Sequence, residues 1–159
     1  MALAACAPAV GAYFPQPAPT TITGSARVGE RALVGVADLV AAAADRIVLV
    51  DAAPVGLRGA ASVETWALRR ADTGGGGVGF ATDRDLQASI PFSALARPLA
   101  SFAFTRADGP VEVVLALESD RPGTVTFDAV ALRFRIDGGA TRTETFPASG
   151  AIEFRGSGP

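Results

Sequence analysis

Large apolar side chains recur at every second position of the segment Val130–Ile136. Successive side chains of a β-strand point to opposite faces, so a period of two places all of these apolar groups on one face. An amphipathic helix instead repeats its apolar positions every three or four residues. The C-terminal third of the chain is therefore predicted to be β-sheet with one buried face.

A shorter alternating segment of opposite phase precedes this strand. Val125 and Phe127 share a face, but Val130 lies an odd number of residues beyond Phe127. A shift of one residue moves an apolar set to the other face of a strand. We therefore predict a bulge, bend or strand break at Asp128–Ala129.

The glycine-containing segment Asp137–Ala140 predicts a tight hairpin turn after this strand. A two-residue loop would place Arg133 opposite Glu144 on the outer face. A three-residue loop would instead place Phe134 opposite Glu144 and put a carboxylate on the buried face, where its desolvation is unfavourable. The two-residue register is therefore predicted.

In this register Arg135 lies opposite Arg142, and Arg133 joins them on the outer face. Such a basic patch is suited to anionic lipid headgroups, a cell-wall polymer or an acidic protein surface. An ordinary solvated face is the alternative. Arg133, Arg135 and Arg142 are thus candidate partner-contact residues.

The remaining chain repeats short β-branched or aromatic runs between glycine- and proline-containing turns, which is typical of an all-β sandwich. We predict a single immunoglobulin-like antiparallel β-sandwich over residues 20–156, with a three-residue tail at 157–159. The alanine-rich segment 37–44 favours either one short helix or a strand of unusual composition. The length of 159 residues is sufficient to bury a core.

The composition excludes several function classes. The chain contains neither His nor Lys and has a single Cys, which excludes a Ser-His-Asp triad, a Cys-His pair, a Schiff-base lysine and a histidine-ligated zinc. The net charge of -2 argues against a nucleic-acid partner. Carboxylate chemistry, an oxygen-ligand metal site or a non-enzymatic role remains, and no cofactor is expected.

The N-terminal segment carries no charged side chain before Arg27 and contains four prolines between residues 8 and 19. Residues 1–19 are therefore predicted to be an extended tether, in which Tyr13 and Phe14 are exposed aromatics able to latch onto the domain.

Leu3–Cys6 resembles the lipobox of bacterial lipoproteins. That resemblance implies a lipid on Cys6 and attachment to the outer face of the cytoplasmic membrane, across a tether from Ala7 to Thr20 of roughly 40 Å. A lone Cys in a loose tail is the alternative.

The segment GTVTFDAVALRFRIDGG, with the threonine-rich strand after it, is similar to the last strands of uncharacterised secreted or membrane-tethered bacterial β-sandwich proteins. The resemblance implies a β-sandwich in the cell envelope. The resemblance implies no particular activity and identifies no site residues.

A glycine run, Gly74–Gly79, matches the spacing G-x-G-x-x-G but is not followed by an amphipathic helix, so we interpret it as a flexible loop. Asp72, Asp83 and Asp85 flank it, and oxygen ligands on such a segment suit Ca²⁺. Solvated loop charges are the alternative to a metal site. Trp66 alternates with Leu68 and is predicted to lie in the core, with sugar stacking as its alternative role.

Paired carboxylates are the remaining catalytic candidates, as in glycoside hydrolysis. Glu112 and Glu118 bound the apolar run of one predicted strand, and we interpret both as solvent-facing strand ends. Glu144 and Glu153 lie in the C-terminal strands.

The sequence thus favours a non-enzymatic, lipoprotein-like β-sandwich that contacts a protein or polymer at the cell surface. One alternative is a carbohydrate-binding module or a carboxylate-based glycan-active protein that uses Trp66 or the Asp83–Asp85 loop. A second alternative is a subunit of a surface or particle assembly, since sandwich edges pair readily.

Overall fold

A computed structural model describes residues 11–87 and 89–156 of the chain. The predicted lipidation site at Cys6 and the predicted tail at residues 157–159 lie outside the described residues. No helix in this part of the chain is long and apolar enough to cross a membrane.

Twelve strands and two short helices make up the described ranges. The strands are β1 (Thr20–Arg27), β2 (Ala32–Leu39), β3 (Arg46–Val55), β4 (Ser62–Arg69), β5 (Phe80–Thr82), β6 (Arg97–Pro98), β7 (Ala103–Thr105), β8 (Val111–Glu118), β9 (Gly123–Phe127), β10 (Ala129–Ile136), β11 (Arg142–Phe146) and β12 (Ala148–Arg155). The helices are α1 (Asp83–Gln87) and α2 (Phe92–Leu95), and 3₁₀ turns span Arg70–Thr73 and Arg106–Asp108.

The strands form three sheets, in the orders β5-β2-β8-β4-β6, β11-β10-β3-β7 and β1-β12-β9. All three contribute apolar side chains to one main core, for example Leu115 of β8, Phe134 of β10 and Ile152 of β12. The pairing is antiparallel except between β1 and β12, which run parallel. The predicted antiparallel β-sandwich is confirmed.

Strand β8 is buried on both faces, which explains why its sequence is a nearly continuous apolar run. Val113 and Leu115 point into the main core. Val114 and Ala116 point to the opposite face, where a second apolar cluster forms with Leu86 of α1 and other residues of the 78–96 region. The segment between β4 and β7 therefore covers the outer face of the five-stranded sheet.

The predicted break at Asp128 is confirmed, because β9 ends at Phe127 and β10 begins at Ala129. The phase change has a topological cause: β9 pairs with β12, whereas β10 pairs with β3 in another sheet. In the 37–44 segment the predicted helix is wrong, and the strand alternative holds only for residues 37–39, since residues 40–44 form a loop and a turn. Strand β2 continues to Leu39, and both Leu39 and Ala41 are buried in the main core.

The predicted hairpin register is wrong by one residue. Arg133 lies opposite Thr143, and Leu132 lies opposite Glu144, so the glutamate is on the inner face. Its carboxylate accepts hydrogen bonds from the backbone N–H groups of Tyr13 and, at 3.1 Å, Phe14. These bonds offset the desolvation that made an inward Glu144 unfavourable.

The aromatic pair that donates these bonds belongs to the folded domain. Phe14 is 0% exposed, and its ring lies 4.9 Å from that of Phe134 between centroids. The Tyr13 hydroxyl donates to Asp45 at 2.7 Å and accepts from the N–H of Ala42 at 2.8 Å. The predicted exposure of Phe14 is wrong, because Phe14 lies in the main core and Tyr13 packs against it.

We predict that Phe14→Ala lowers the free energy of unfolding by about 3–5 kcal/mol, because it removes a fully buried ring that packs against the rings of Tyr13, Phe134 and Phe146. Urea unfolding followed by circular dichroism measures this loss. The neighbouring Gln16→Ala, at an exposed position, should change stability by less than about 0.5 kcal/mol. Equal stability of Phe14→Ala and wild type would show that the N-terminal segment is not part of the core.

Candidate functional site

A cleft of about 620 Å³ opens beside the second half of β2. The cleft is lined by the segment 15–18, which follows the Tyr13–Phe14 latch, and by Gly77 and Gly79 of the glycine run. Three charged residues line the cleft, namely Asp38 of β2, Arg70 after β4 and Glu112 of β8. We call these three side chains the ionic cluster.

Two carboxylates of the ionic cluster face each other across a strand pair, since Asp38 lies directly opposite Glu112. Like charges in this position repel each other. Arg70 compensates for the repulsion: its Nε and Nη2 donate to the two Asp38 oxygens at 2.8 and 2.7 Å. The same Nη2 lies 3.7 Å from Oε1 of Glu112.

A β-bulge brings Asp38 to this face. The register of β2 against β8 shifts between Gly35 and Ala37, so that one extra residue is inserted. Without that residue Asp38 would share the inner face with Val34 and Val36, both of which are in the main core. The bulge turns the carboxylate outward onto the face that bears Glu112.

Glu112 is almost fully enclosed, with 3% of its surface exposed. The backbone N–H of Val78 donates to both of its carboxylate oxygens, at 2.9 and 3.1 Å. Burial raises the pKa of Glu112, although the Val78 N–H and the Arg70 guanidinium oppose this effect. The predicted solvent exposure of Glu112 is therefore wrong, because the glycine run folds over it, whereas Glu118 is exposed as predicted.

Two glycines make this arrangement possible. A Cβ on Gly35 would lie 2.1 Å from Oε1 of Glu112, and a Cβ on Gly77 would lie 1.7 Å from Nη1 of Arg70. Both distances are far below van der Waals contact. The glycine run thus lets the backbone pass directly over the ionic cluster, and the Gly35 N–H is bonded to the Gly79 carbonyl at 2.7 Å.

The predicted metal ligands do not converge. Asp83 and Asp85 lie in α1, where Asp83 accepts from Arg31 at 2.5 Å and Asp85 accepts from the Thr82 hydroxyl at 2.9 Å. Asp72 lies in the 3₁₀ turn after β4. No group of three or more His, Cys, Asp or Glu able to hold a metal is found among residues 11–87 and 89–156.

The three arginines of the predicted basic patch lie on two different faces of the hairpin. Arg133 and Arg135 are exposed, and Arg133 donates to Asp51 at 2.7 Å. Arg142 lies opposite Phe134 and therefore belongs to the other face of the hairpin. The expectation that all three arginines share one face is wrong, and its cause is the error in the hairpin register.

Trp66 packs against the second apolar cluster, as expected for a core residue, but it is only partly buried. Its ring contacts Phe92 edge-on at 6.1 Å between centroids, and the Arg31 guanidinium lies 6.0 Å from the ring centre. Its Nε1 is buried without a hydrogen-bond partner in the described residues. Trp66 does not line the cleft.

Sequence reasoning did not identify Asp38 or Arg70 as site residues. Two features of the sequence pointed to this site: Glu112 lies within an otherwise apolar strand, and the consecutive glycines of the glycine run tolerate close backbone contact. Neither feature identifies Val78 as the hydrogen-bond donor to Glu112, because the two residues are 34 positions apart along the chain.

Comparison with known proteins adds no family. No family model, curated protein or solved structure matches this chain.

We predict that Glu112 makes the fold less stable as the pH rises. A carboxyl whose pKa is raised by folding holds its proton more tightly in the folded state, so its contribution to stability is present below its unfolded pKa and is lost as the pH rises through the folded pKa. Relative to Glu112→Gln, the wild-type free energy of unfolding should fall as the pH rises above about 4.5.

Urea unfolding of both proteins from pH 4 to pH 8 measures this difference, and Gln keeps an oxygen for the Val78 N–H. Glu118→Gln, at the exposed end of the same strand, is the matched control and should show no such trend. A wild-type stability that rises with pH relative to Glu112→Gln would contradict the assignment.

Proposed function

We propose that this protein is a non-enzymatic contact module of the bacterial cell envelope, whose β-sandwich presents the cleft at the ionic cluster to a protein or polymer. The proposal combines the geometry of the cleft with the lipobox-like N-terminus. A cleft whose polar groups are few and fixed is suited to recognition.

The observation that carries the proposal is that the cleft carboxylates are already held by the protein. Both oxygens of Glu112 accept from the Val78 N–H, and both oxygens of Asp38 accept from Arg70. A general acid or base has to exchange a proton with its substrate. A carboxylate in an Arg fork is instead a fixed charge of defined direction, which supports binding rather than turnover.

The latch changes the expected distance between the domain and the membrane. A lipid on Cys6 would be followed by six residues, Ala7–Ala12, before Tyr13 is fixed to the domain. Six residues span at most about 20 Å, half of the reach expected for a tether up to Thr20. Since the segment 15–18 also forms a cleft wall, the cleft lies next to the point of attachment.

The carbohydrate-binding alternative is less well supported. Its aromatic candidate, Trp66, packs against Phe92 beneath Arg31 and lies outside the cleft. Sugar recognition usually relies on the exposed face of such a ring. A glycan array with wild type and Trp66→Ala distinguishes the two functions: specific glycan binding that Trp66→Ala abolishes would favour the alternative.

Contact through the cleft is tested by photo-crosslinking in the natural host. A photo-crosslinking amino acid at Gln16, an exposed residue that lines the cleft, should give a discrete adduct. The same amino acid at Val55, which is exposed outside the cleft, is the control and should not give that adduct. The same adducts from both positions, or none from Gln16, would overturn the proposed use of the cleft.

We predict that Cys6→Ser releases the protein from membranes, because it removes the thiol that carries the lipid and acyl chains anchor by about 0.8 kcal/mol per buried methylene. Membrane fractionation of the host followed by immunoblotting measures the release. Ala9→Ser, in the same segment, should remain in the membrane pellet. Retention of Cys6→Ser at wild-type levels, or an unmodified Met1 by mass spectrometry, would contradict lipidation.

A further inference from the structure

We propose that the cleft binds an extended polypeptide segment of a partner protein, which pairs with the free edge of β2 and directs a Lys or Arg side chain to Asp38. This inference rests on the proposed function of the cleft as a contact site and specifies its partner. It is carried by three properties of the cleft: an unpaired strand edge, an elongated shape and a negative charge.

The unpaired edge results from the unequal lengths of neighbouring strands. On one side β2 pairs with β8 from Ala32 to Leu39, but on the other side β5 covers only Ala32–Val34. Gly35 is bonded to Gly79 of the glycine run, and residues 36–39 have no strand partner on this side within the described ranges. An exposed strand edge offers backbone donors and acceptors to an added strand.

The elongated shape comes from a second cavity, of about 570 Å³, which continues the cleft beyond the ionic cluster. Asp38 and Arg70 line both cavities, and the exposed Val40 and Pro110 line the second one. The two cavities meet at Asp38, and the second extends from Val40 towards Ala71 and Pro110, next to β4 and β8. We call the two connected cavities the groove, and their combined length is suited to an extended chain rather than to a compact ligand.

The lining of the groove favours a polypeptide over a glycan. Its apolar part consists of prolines and aliphatic side chains such as Pro15, Pro17 and Ile22. The aromatic ring that lines the cleft, Phe146, is 1% exposed and offers no surface for sugar stacking. In β-augmentation, backbone hydrogen bonds supply affinity and alternate side chains enter such apolar pockets.

The charge of the groove selects the partner side chain. The charged residues that line its two cavities are two carboxylates and one guanidinium, which gives a net charge of -1. Asp38 is the most accessible of them, with 48% of its side chain exposed against 22% for Arg70. A basic side chain is therefore favoured at this position and an acidic one is disfavoured.

The proposal is tested with three fluorescein-labelled synthetic peptides and the full chain by fluorescence anisotropy. The first is Thr-Val-Thr-Val-Lys-Val-Thr-Val-Thr-amide with fluorescein on its N-terminal amine, the second has Glu in place of Lys, and the third is the Lys peptide N-methylated at alternate residues. The Lys peptide should bind at least about tenfold more tightly than the Glu peptide, because like charges are excluded from Asp38. N-methylation should abolish binding, because it removes the backbone donors that pair with β2.

Asp38→Asn should weaken binding of the Lys peptide about fivefold or more and should remove the preference for Lys over Glu. Asp51→Asn is the matched control, since Asp51 is similarly exposed and also pairs with an arginine at 2.7 Å, but outside the groove. Its Lys peptide affinity should equal that of wild type. Unchanged far-UV circular dichroism verifies that both variants are folded.

Equal binding of the Lys and Glu peptides, undiminished binding of the N-methylated peptide, or absence of binding would overturn this inference. A crosslinked adduct at Gln16 combined with any of these results would leave the proposed function standing, with a partner that is not an extended basic strand. Absence of both the adduct and peptide binding would overturn the two together.

Discussion

The burial of Glu112 is the constraint on which the arrangement around the cleft depends. A carboxylate almost completely removed from water is tolerated only when fixed donors replace its hydration. Here the donors are the Val78 N–H and, at longer range, Arg70. The glycine run has to approach closely enough to supply the N–H, which requires Gly35 and Gly77 to lack side chains. One buried charge thus accounts for the course of a distant loop.

Glu144 follows the same physical principle at another place in the sandwich. It lies on an inner face, and backbone N–H groups of Tyr13 and Phe14 donate to it from a segment 130 residues away. In both cases an inward carboxylate holds a segment that has no strand partner of its own, and the segment carries an apolar residue into a core. Val78 enters the second cluster and Phe14 enters the main core. The hydrogen bonds that offset the desolvation of each carboxylate therefore also attach a remote segment to the sandwich.

The sequence predicts those features whose pattern is local. The period of two in Val130–Ile136 and the phase change at Asp128 are both visible in neighbouring side chains, and both are confirmed. The cause of the phase change, which is that β9 and β10 pair in different sheets, is not visible in that pattern. Glu112 and Glu144 could not be placed in this way, because their donors are remote in sequence. Without knowledge of its hydrogen-bond donors, a carboxylate is expected to face solvent. The same assumption about Glu144 gave the wrong hairpin register and therefore the wrong face for one of the three arginines. Asp38 and Arg70 were missed because a bulge and a turn bring them together.

Asp38 and Glu112 are chemically similar groups that face each other across one strand pair, and burial divides their roles. Glu112 has both oxygens on the backbone of the glycine run, so any partner that competed for them would have to displace that run. Asp38 keeps about half of its side chain in solvent while Arg70 fixes its direction. A charge that is both oriented and accessible loses little conformational entropy on contact, because its side chain is already ordered. The buried Glu112 thus holds the glycine run that lines the cleft, and the exposed Asp38 is the carboxylate that a molecule in the cleft can contact.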